Sequence, residues 1–185
     1  MRNLFLTLCC IMYMFSCKTE SELSSSKAER MVEEYLLQNP HFETTNFNTN
    51  RMRLNSKNDE DLISQIQTLE EEGWIEIVDE KSRKRWFSKD SVFVITPSLT
   101  TKSLPYIVQQ NRNNTQVKTI VYELDKSRGI IFNRKAKKTA TFNAVLMKNK
   151  TPFYDFGKDQ NPNSNFITKS FRARFTESEG WKLVE

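Results

Sequence analysis

Alternation of apolar and polar side chains over residues 139–147 is the feature that most constrains the fold of this chain. Successive side chains of a β-strand point to opposite faces, so a period of two predicts one buried and one solvent-facing side. The polar positions of this stretch hold threonine and asparagine, which suit a solvated face. The stretch therefore predicts a strand whose inward residues are Ala140, Phe142, Ala144 and Leu146.

Four further segments of the C-terminal half carry strand patterns. They cover residues 117–124, 130–132, 166–175 and 181–184, and turn-forming residues lie between them. In the third of these segments apolar side chains are expected to face inward and two arginines outward, at Arg172 and Arg174. Together the patterns predict an antiparallel sheet of about five strands.

The N-terminal half carries two helical patterns instead. Ser26 and Glu29 fit the capping box that begins a helix, the apolar residues that follow are spaced for one helix face, and Asn39-Pro40 ends the pattern. A second helix is expected from about residue 58. Gly73 suits the left-handed position that follows a last helical turn.

A period of two returns at residues 74–78 and 86–95, which predicts a β-hairpin with a charged turn. Pro97 is expected to end the second strand, and residues 98–116 are interpreted as a linker.

The predicted fold class is α+β, with two N-terminal helices and a β-hairpin followed by the antiparallel sheet of about five strands. Residues 27–97 would form a helix-helix-hairpin subdomain and residues 117–185 an antiparallel β subdomain. The order of a helix, a glycine and a basic hairpin resembles a winged helix.

All three cysteines lie near the start of the chain, at Cys9, Cys10 and Cys17. Residues 4–15 are almost entirely apolar and follow Arg2. This run is shorter than the roughly 20 residues of a membrane-spanning helix, and it fits the apolar region of a secretory signal. Cleavage before the last cysteine would leave a single thiol, so the fold would depend on packing without an internal disulfide.

The residues Met14-Phe15-Ser16-Cys17 resemble the lipobox of bacterial lipoproteins, in which the cysteine is acylated and becomes the new N-terminus. Ser16 and Cys17 fit that pattern, whereas Phe15 departs from its preference for a small residue. The resemblance implies that Cys17 is the lipidation site and that acyl chains such as palmitate anchor the protein to a membrane.

The same resemblance divides the N-terminal region into a signal peptide, residues 1–16, and a polar tether, residues 17–26. Lys18, which follows the cysteine, resembles the residue found in lipoproteins that are sent to the outer membrane. The expected location is therefore the cell envelope, at the outer membrane. A buried helix and a non-lipidated secretory signal are the alternatives for residues 1–17.

The chain carries a net charge of +5, and two basic clusters join predicted strands. Each basic residue near an anionic membrane surface contributes about 1 kcal/mol to binding. We therefore expect contact with anionic headgroups, or with a protein or other anionic partner in the envelope. The residues expected to make it are Lys81, Arg83, Lys84, Arg85, Arg134, Lys135, Lys137 and Lys138.

Catalytic patterns are weak in this sequence. His41 is the only histidine, and the sequence has neither a G-x-S-x-G motif nor a glycine-rich phosphate loop. No catalytic residue, metal site or cofactor is predicted. Glu123 with Asp125, and Asp155 with Asp159, leave open an envelope hydrolase that uses two carboxylates.

The basic and aromatic stretch at residues 83–87 leaves open a third function. A cytoplasmic winged-helix protein would bind nucleic acid through such a hairpin, but only if residues 1–17 were retained. The preferred interpretation is a lipid-anchored envelope protein with a binding or structural role, which is not an enzyme and has no nucleic-acid partner.

Overall fold

The computed structural model of the chain describes residues 22–78, 92–111 and 114–184. The fold is α+β with a large antiparallel sheet, which confirms the predicted class. The described residues form two compact units that alternate along the chain. The first unit comprises residues 22–35, 124–145 and 168–184. The second comprises the described residues within 36–123 and 146–167.

Two α-helices, two short 3-10 helices and eleven strands make up the described part of the chain. The 3-10 helices are Thr101–Tyr106 and Tyr154–Phe156. The other elements are α1 (Ser25–Gln38), β1 (Phe42–Asn48), β2 (Met52–Asn55), α2 (Glu60–Glu71), β3 (Ile75–Ile77), β4 (Val92–Ile95), β5 (Pro97–Leu99), β6 (Ile107–Gln110), β7 (Asn114–Leu124), β8 (Ile130–Lys135), β9 (Thr139–Lys150), β10 (Phe166–Thr176) and β11 (Gly180–Val184).

Seven strands belong to one sheet with the order β1-β7-β9-β10-β11, in which β6 also pairs with β7 and β8 with β9. Every pair in it whose register is described is antiparallel. The five strands predicted for the C-terminal part are present as β7 to β11. Two small ladders, β2 with β4 and β3 with β5, accompany this sheet.

The helix α1 begins earlier than the predicted capping box. Ser24, not Ser26, caps it: the Ser24 hydroxyl accepts a hydrogen bond from the Lys27 N–H (3.3 Å), and its carbonyl accepts one from the Ala28 N–H (3.0 Å). A serine two residues upstream satisfies the same orphan amides, so the match of Ser26 to the capping pattern was misleading. The helix ends at Gln38, just before Asn39-Pro40 as predicted.

The end of α2 confirms the prediction for Gly73. Gly73 has a φ of 75°, its N–H donates to the Glu70 carbonyl (2.9 Å), and the Trp74 N–H donates to the Leu69 carbonyl (2.8 Å). This pair of bonds is the Schellman arrangement, which needs a left-handed residue at this position. The chain therefore leaves α2 in a fixed direction and enters β3.

The predicted hairpin pairs differently from expectation. In β4, Phe93 lies opposite Leu54 of β2, whereas β3 pairs with β5, where Pro97 lies opposite Ile77. The chain changes partner at Thr96, whose carbonyl accepts the Val78 N–H (3.0 Å). The strand β4 ends at Ile95, before Pro97, as predicted. Pro97 then begins β5, where a proline at the first position of a strand removes little from the ladder.

Regular structure occupies most of the described residues within 98–116, where the sequence predicts a linker. The Thr100 hydroxyl donates to the Gly73 carbonyl (2.7 Å), and the Ser103 hydroxyl donates to the Trp74 carbonyl (2.5 Å). Lys102 Nζ donates to the Glu72 carbonyl (2.6 Å) and lies 3.9 Å from the Trp74 ring centroid. Side-chain bonds to the end of α2 fix this segment, and hydrophobic periodicity does not reveal such bonds.

The core of the second unit joins α2 to the small ladders and to an aromatic cluster. Ile63, Ile66 and Leu69 form the buried stripe of α2. The Phe153 ring is fully buried, and its centroid lies 5.5 Å from that of Phe47. The remaining buried members of this core are Leu54, Ile75, Ile77, Phe93, Ile95 and Val117.

A β-bulge in β7 changes which of its positions are buried. Glu43 of β1 lies opposite Ile120 and Thr44 lies opposite Lys118, so Thr119 has no partner on that strand. Such an extra residue reverses the inward and outward alternation of the chain. Buried positions accordingly change from odd numbers to even numbers; they are Thr115, Val117, Thr119, Ile120 and Tyr122.

The core of the first unit lies on one face of β8, β9 and β10. Phe142 and Phe171 stack with centroids 5.9 Å apart, and Tyr35 of α1 meets Phe171 edge-on at 5.6 Å. Ala140, Ala144 and Ala173 are also buried, and the four inward residues predicted for β9 are all confirmed. Because one face of these strands is packed, the alternate side chains of β9 and β10 are left to solvent.

Candidate functional site: a basic sheet face

The predicted lipidation site and one predicted basic cluster lie outside the described residues. These are Cys17 and the cluster of Lys81, Arg83, Lys84 and Arg85. Their proposed roles in anchoring and in contact with anionic surfaces therefore stay predictions.

The second predicted cluster lies at the β8–β9 hairpin, and its four cationic residues are exposed. Arg134 lies opposite the outward residue Thr141, whereas Lys135 lies opposite the inward residue Ala140, with its Nζ 4.7 Å from the Phe132 ring centroid. Lys137 and Lys138 occupy the turn between the two strands. The hairpin therefore gathers the four residues, but only Arg134 joins the outer face of the sheet.

Two arginines of β10 extend this outer face. Arg172 and Arg174 are exposed because Phe171 and Ala173, which alternate with them, are buried. Lys182 of β11 lies opposite Arg174 and is exposed as well. We call Arg134, Arg172, Arg174 and Lys182 the basic face.

Carboxylates neutralise only part of the basic face and its surroundings. Lys182 pairs with Glu179 (2.6 Å), and Lys138 of the turn pairs with Glu177 (3.2 Å). Both pairs are exposed, so each contributes at most about 1 kcal/mol. Within the described part of the chain, no ion pair involves Arg134, Arg172 or Arg174.

The excess of positive charge belongs to the first unit. Over its described residues, this unit has twelve Lys and Arg against seven Asp and Glu, a net charge of +5. The second unit has eight against eleven over its described residues, a net charge of −3. Over the full sequence of its two segments, residues 36–123 and 146–167, the second unit has fourteen Lys and Arg against fourteen Asp and Glu and no net charge. Net charge therefore attracts an anionic partner to the first unit more than to the second.

A groove lies on the outer side of β8, β9 and β10 and has a volume of about 190 Å³. Arg134 and Arg172 line it together with the threonines Thr139 and Thr141, and Ala140 completes the lining. All four polar side chains can donate hydrogen bonds, and no carboxylate is among the lining residues. The groove therefore has the chemistry of an anion site.

The predicted acid Asp159 lies in a buried ion pair within the second unit. Its Oδ1 lies 2.5 Å from Lys148 Nζ, and the two side chains are only 9% and 5% exposed. Lys148 also donates to the Asn161 carbonyl (2.5 Å), and the Tyr154 hydroxyl donates to Asp159 Oδ2 (3.3 Å). These bonds connect the loop after β9 to that strand, so the pair has a structural role.

Hydrogen bonding from Lys148 holds the pKa of Asp159 below its usual value, with further help from the Asn161 N–H and the Lys148 charge. A general acid in a glycosidase needs a raised pKa, which is the opposite direction. The environment of Asp159 thus favours a permanent carboxylate that accepts hydrogen bonds.

We expect the stability that Asp159 confers to disappear in acid. A carboxyl whose folded pKa is below the unfolded value of about 3.9 stabilises the fold above that value, and this stability is lost as the pH falls through the folded pKa. Asp159→Asn should therefore be less stable than wild type at about pH 6 and approach it at about pH 2. The urea concentration at the midpoint of unfolding, measured for both proteins across this pH range, tests the prediction. The exposed Asp155→Asn serves as the control, and parallel curves for wild type and Asp159→Asn would contradict it.

Tyr122 and Glu43 form a second polar contact in the second unit. The Tyr122 hydroxyl donates to Glu43 Oε1 (2.5 Å), and Glu43 Oε2 accepts the Gln160 N–H (3.2 Å). Burial raises the pKa of Tyr122, and the hydrogen bond to Glu43 and its charge raise it further. The His41 ring lies 5.0 Å from the Tyr122 ring, so the only histidine packs against a neutral phenol.

The other acids named from the sequence are Asp125, Glu123 and Asp155. Asp125 accepts hydrogen bonds from the Ser127 hydroxyl (2.6 Å) and N–H (3.0 Å), and these bonds with the Arg128 charge lower its pKa. Glu123 and Asp155 are exposed. Among the described residues, no three or more His, Cys, Asp or Glu side chains are grouped so that they could hold a metal ion.

None of the helices in the described residues combines the length and the apolar character that crossing a bilayer requires.

Comparisons of this chain with protein-family models, with curated proteins and with solved structures found no match.

Proposed function

We propose that this protein is a lipid-anchored protein of the cell envelope, at the outer membrane, whose folded part binds an anionic partner through the basic face. The anchor is the acylated Cys17, and the polar residues that follow it act as a tether. The protein works as a binding or structural module, and no catalytic step is assigned to it.

The exposed arginines of the first unit carry this proposal. Three of them, Arg134, Arg172 and Arg174, lie on one solvent-facing side of the sheet without a carboxylate partner in the described part of the chain. An arginine that only improves solubility does not need to share a face with two others. Cations on one face can approach an anionic surface together, and each of them adds to the binding free energy.

The anchor is tested by metabolic labelling. Cells that express the full chain should incorporate radiolabelled palmitate into it, and Cys17→Ser should abolish the label because all acyl chains of the proposal are attached through that residue. Mass spectrometry of the native protein should find an N-terminus at residue 17 with added acyl mass. A chain that begins at Met1 without acyl mass would contradict the anchor.

Anionic binding is tested separately with the full-length Cys17→Ser protein, which cannot be acylated there. We expect more of it to sediment with vesicles that contain phosphatidylglycerol than with neutral phosphatidylcholine vesicles. The difference should shrink as salt is added, since interactions between exposed charges more than about 8 Å apart are largely screened at physiological ionic strength. Equal sedimentation with both vesicles, or with neither, would contradict the proposal.

Two other functions compete with this one. An envelope hydrolase would need a carboxylate with a raised pKa, and the lowered pKa values of Asp125 and Asp159 favour it less. A winged-helix arrangement of residues 27–97 with nucleic-acid binding stays a prediction. It requires the retention of residues 1–17, so the labelling experiment separates it from the envelope proposal.

A further inference from the structure

Two arginines line one small groove of the first unit. Arg134 reaches it from β8, Arg172 reaches it from β10, and Thr139 and Thr141 lie between them on β9. On the packed side, Phe142 of β9 stacks on Phe171 of β10, and Phe132 of β8 meets Phe142 edge-on with centroids 5.6 Å apart. The site is therefore built on adjacent strands over a packed core, which fixes the backbone positions of its donors.

The turn beside the groove is attached to the sheet as well. The Ala136 N–H donates to the Thr139 carbonyl (2.9 Å), and the Phe175 N–H donates to the Lys138 carbonyl (2.9 Å). The second bond joins the turn to β10, the strand that carries Arg172. Backbone hydrogen bonds therefore join the turn after β8, the strand of Arg134, both to β9 and to β10, the strand of Arg172.

The charge of the groove selects for a dianion. Two guanidinium groups without a carboxylate among the lining residues present a local charge of +2. A phosphate monoester carries about −1.5 to −2 charges at pH 7, whereas a phosphodiester carries one. The planar fork of arginine also matches the spacing of phosphate oxygens, and threonine hydroxyls can donate to the remaining ones.

We propose that this groove is a binding site for one phosphate monoester, presented by a lipid headgroup of the envelope. The assignment rests on the proposed function, because the membrane anchor supplies the surface on which such headgroups are found. Arg134 and Arg172 bind the phosphate oxygens, and Thr139 and Thr141 complete the set of donors. Arg174 and Lys182 do not line the groove and contribute only to the attraction between the protein and the anionic membrane surface.

The test uses the full-length Cys17→Ser protein and three vesicles. One is neutral phosphatidylcholine, one adds phosphatidic acid, which exposes a phosphate monoester, and one adds phosphatidylglycerol, a diester, to the same surface charge. We expect preferential binding to phosphatidic acid. The double substitution R134Q/R172Q should lower that affinity about thirtyfold, from two lost cations, and remove the preference.

Two matched variants separate the groove from general charge. R51Q/R53Q removes two exposed arginines from the second unit and should keep the preference for phosphatidic acid. R134K/R172K keeps the charge but loses the planar forks, and it should bind phosphatidic acid more weakly than wild type while it binds phosphatidylglycerol equally well. The urea midpoint of unfolding is measured for every variant. If R134Q/R172Q does not fold, the binding of R134K/R172K to phosphatidic acid and to phosphatidylglycerol tests the monoester site.

The outcomes distinguish the two proposals. Equal binding of wild type to phosphatidic acid and phosphatidylglycerol overturns the monoester site but leaves the anionic-surface function standing. Binding that is no stronger to either anionic vesicle than to the neutral one overturns both. Displacement from phosphatidic acid vesicles by micromolar inorganic phosphate overturns the headgroup assignment, because free phosphate would then be the ligand.

Discussion

Phe153→Ala is expected to lower the free energy of unfolding by about 3–5 kcal/mol. The ring is fully buried, and its centroid lies 5.5 Å from that of Phe47 and 6.4 Å from that of Tyr106. Truncation removes the transfer free energy of the ring and leaves a cavity between two other aromatic side chains. Neither neighbour can fill that cavity without breaking its own edge-to-face contacts.

Urea denaturation measures this loss, and an unchanged slope would show that the same surface is exposed on unfolding. Leu37→Ala is the control, since this side chain is 84% exposed and its truncation should change stability by less than about 0.5 kcal/mol. A loss of less than about 1 kcal/mol for Phe153→Ala would mean that the aromatic cluster is not a tightly packed part of the core.

Gly157→Ala is expected to cost about 1–3 kcal/mol for a different reason. A Cβ atom at this position would lie 2.5 Å from Thr119 Cγ2 and 3.1 Å from its Cβ. Gly157 has a φ of −111°, which any residue can adopt, so the cost comes from overlap of atoms and not from the backbone. Thr119 has little room to retreat, because it is buried and its carbonyl accepts the Thr151 N–H (3.0 Å).

A double-mutant cycle with Thr119→Ala tests this explanation. That substitution removes the Cγ2 and Oγ1 atoms that the new methyl group meets, so Gly157→Ala should cost less in its presence than in wild type. The difference between the two costs is the coupling energy of the pair, and for residues in direct contact it reaches about 0.5–3 kcal/mol. Equal costs in both backgrounds would locate the strain elsewhere.

Strands with a long period of two, and helices with a glycine or proline at their ends, are the parts of this fold that the sequence predicts. The segment FETTNFN of β1 was not predicted, because its only buried residue is Phe47 and its strand is defined by pairing with β7. The partner exchange at Thr96 was missed for the same reason. Pairing between segments distant in sequence leaves little trace in local periodicity.

The candidate site was also predictable only where local sequence carries a signal. Arg134 was predicted from its place in a run of basic residues, whereas Arg172 and Arg174 were predicted only to face solvent. What the sequence could not supply is that β10 lies beside β9, so that Arg172 and Arg134 line one groove. The buried pair of Lys148 and Asp159 was missed likewise, because two charged residues eleven positions apart carry no signal of burial.

The unpaired Thr119 in β7 makes this strand sensitive to length. Substitutions along it can exchange one apolar side chain for another and keep the same contacts. Deletion of Thr119 itself would remove the bulge and leave Val117, Ile120 and Tyr122 on the inward side. Deletion of Val121 would instead turn either Ile120 or Tyr122 from the interior toward water, although no buried side chain is lost. Deletions outside the bulge are therefore expected to be far more damaging in this strand than their effect on its hydrophobic content suggests.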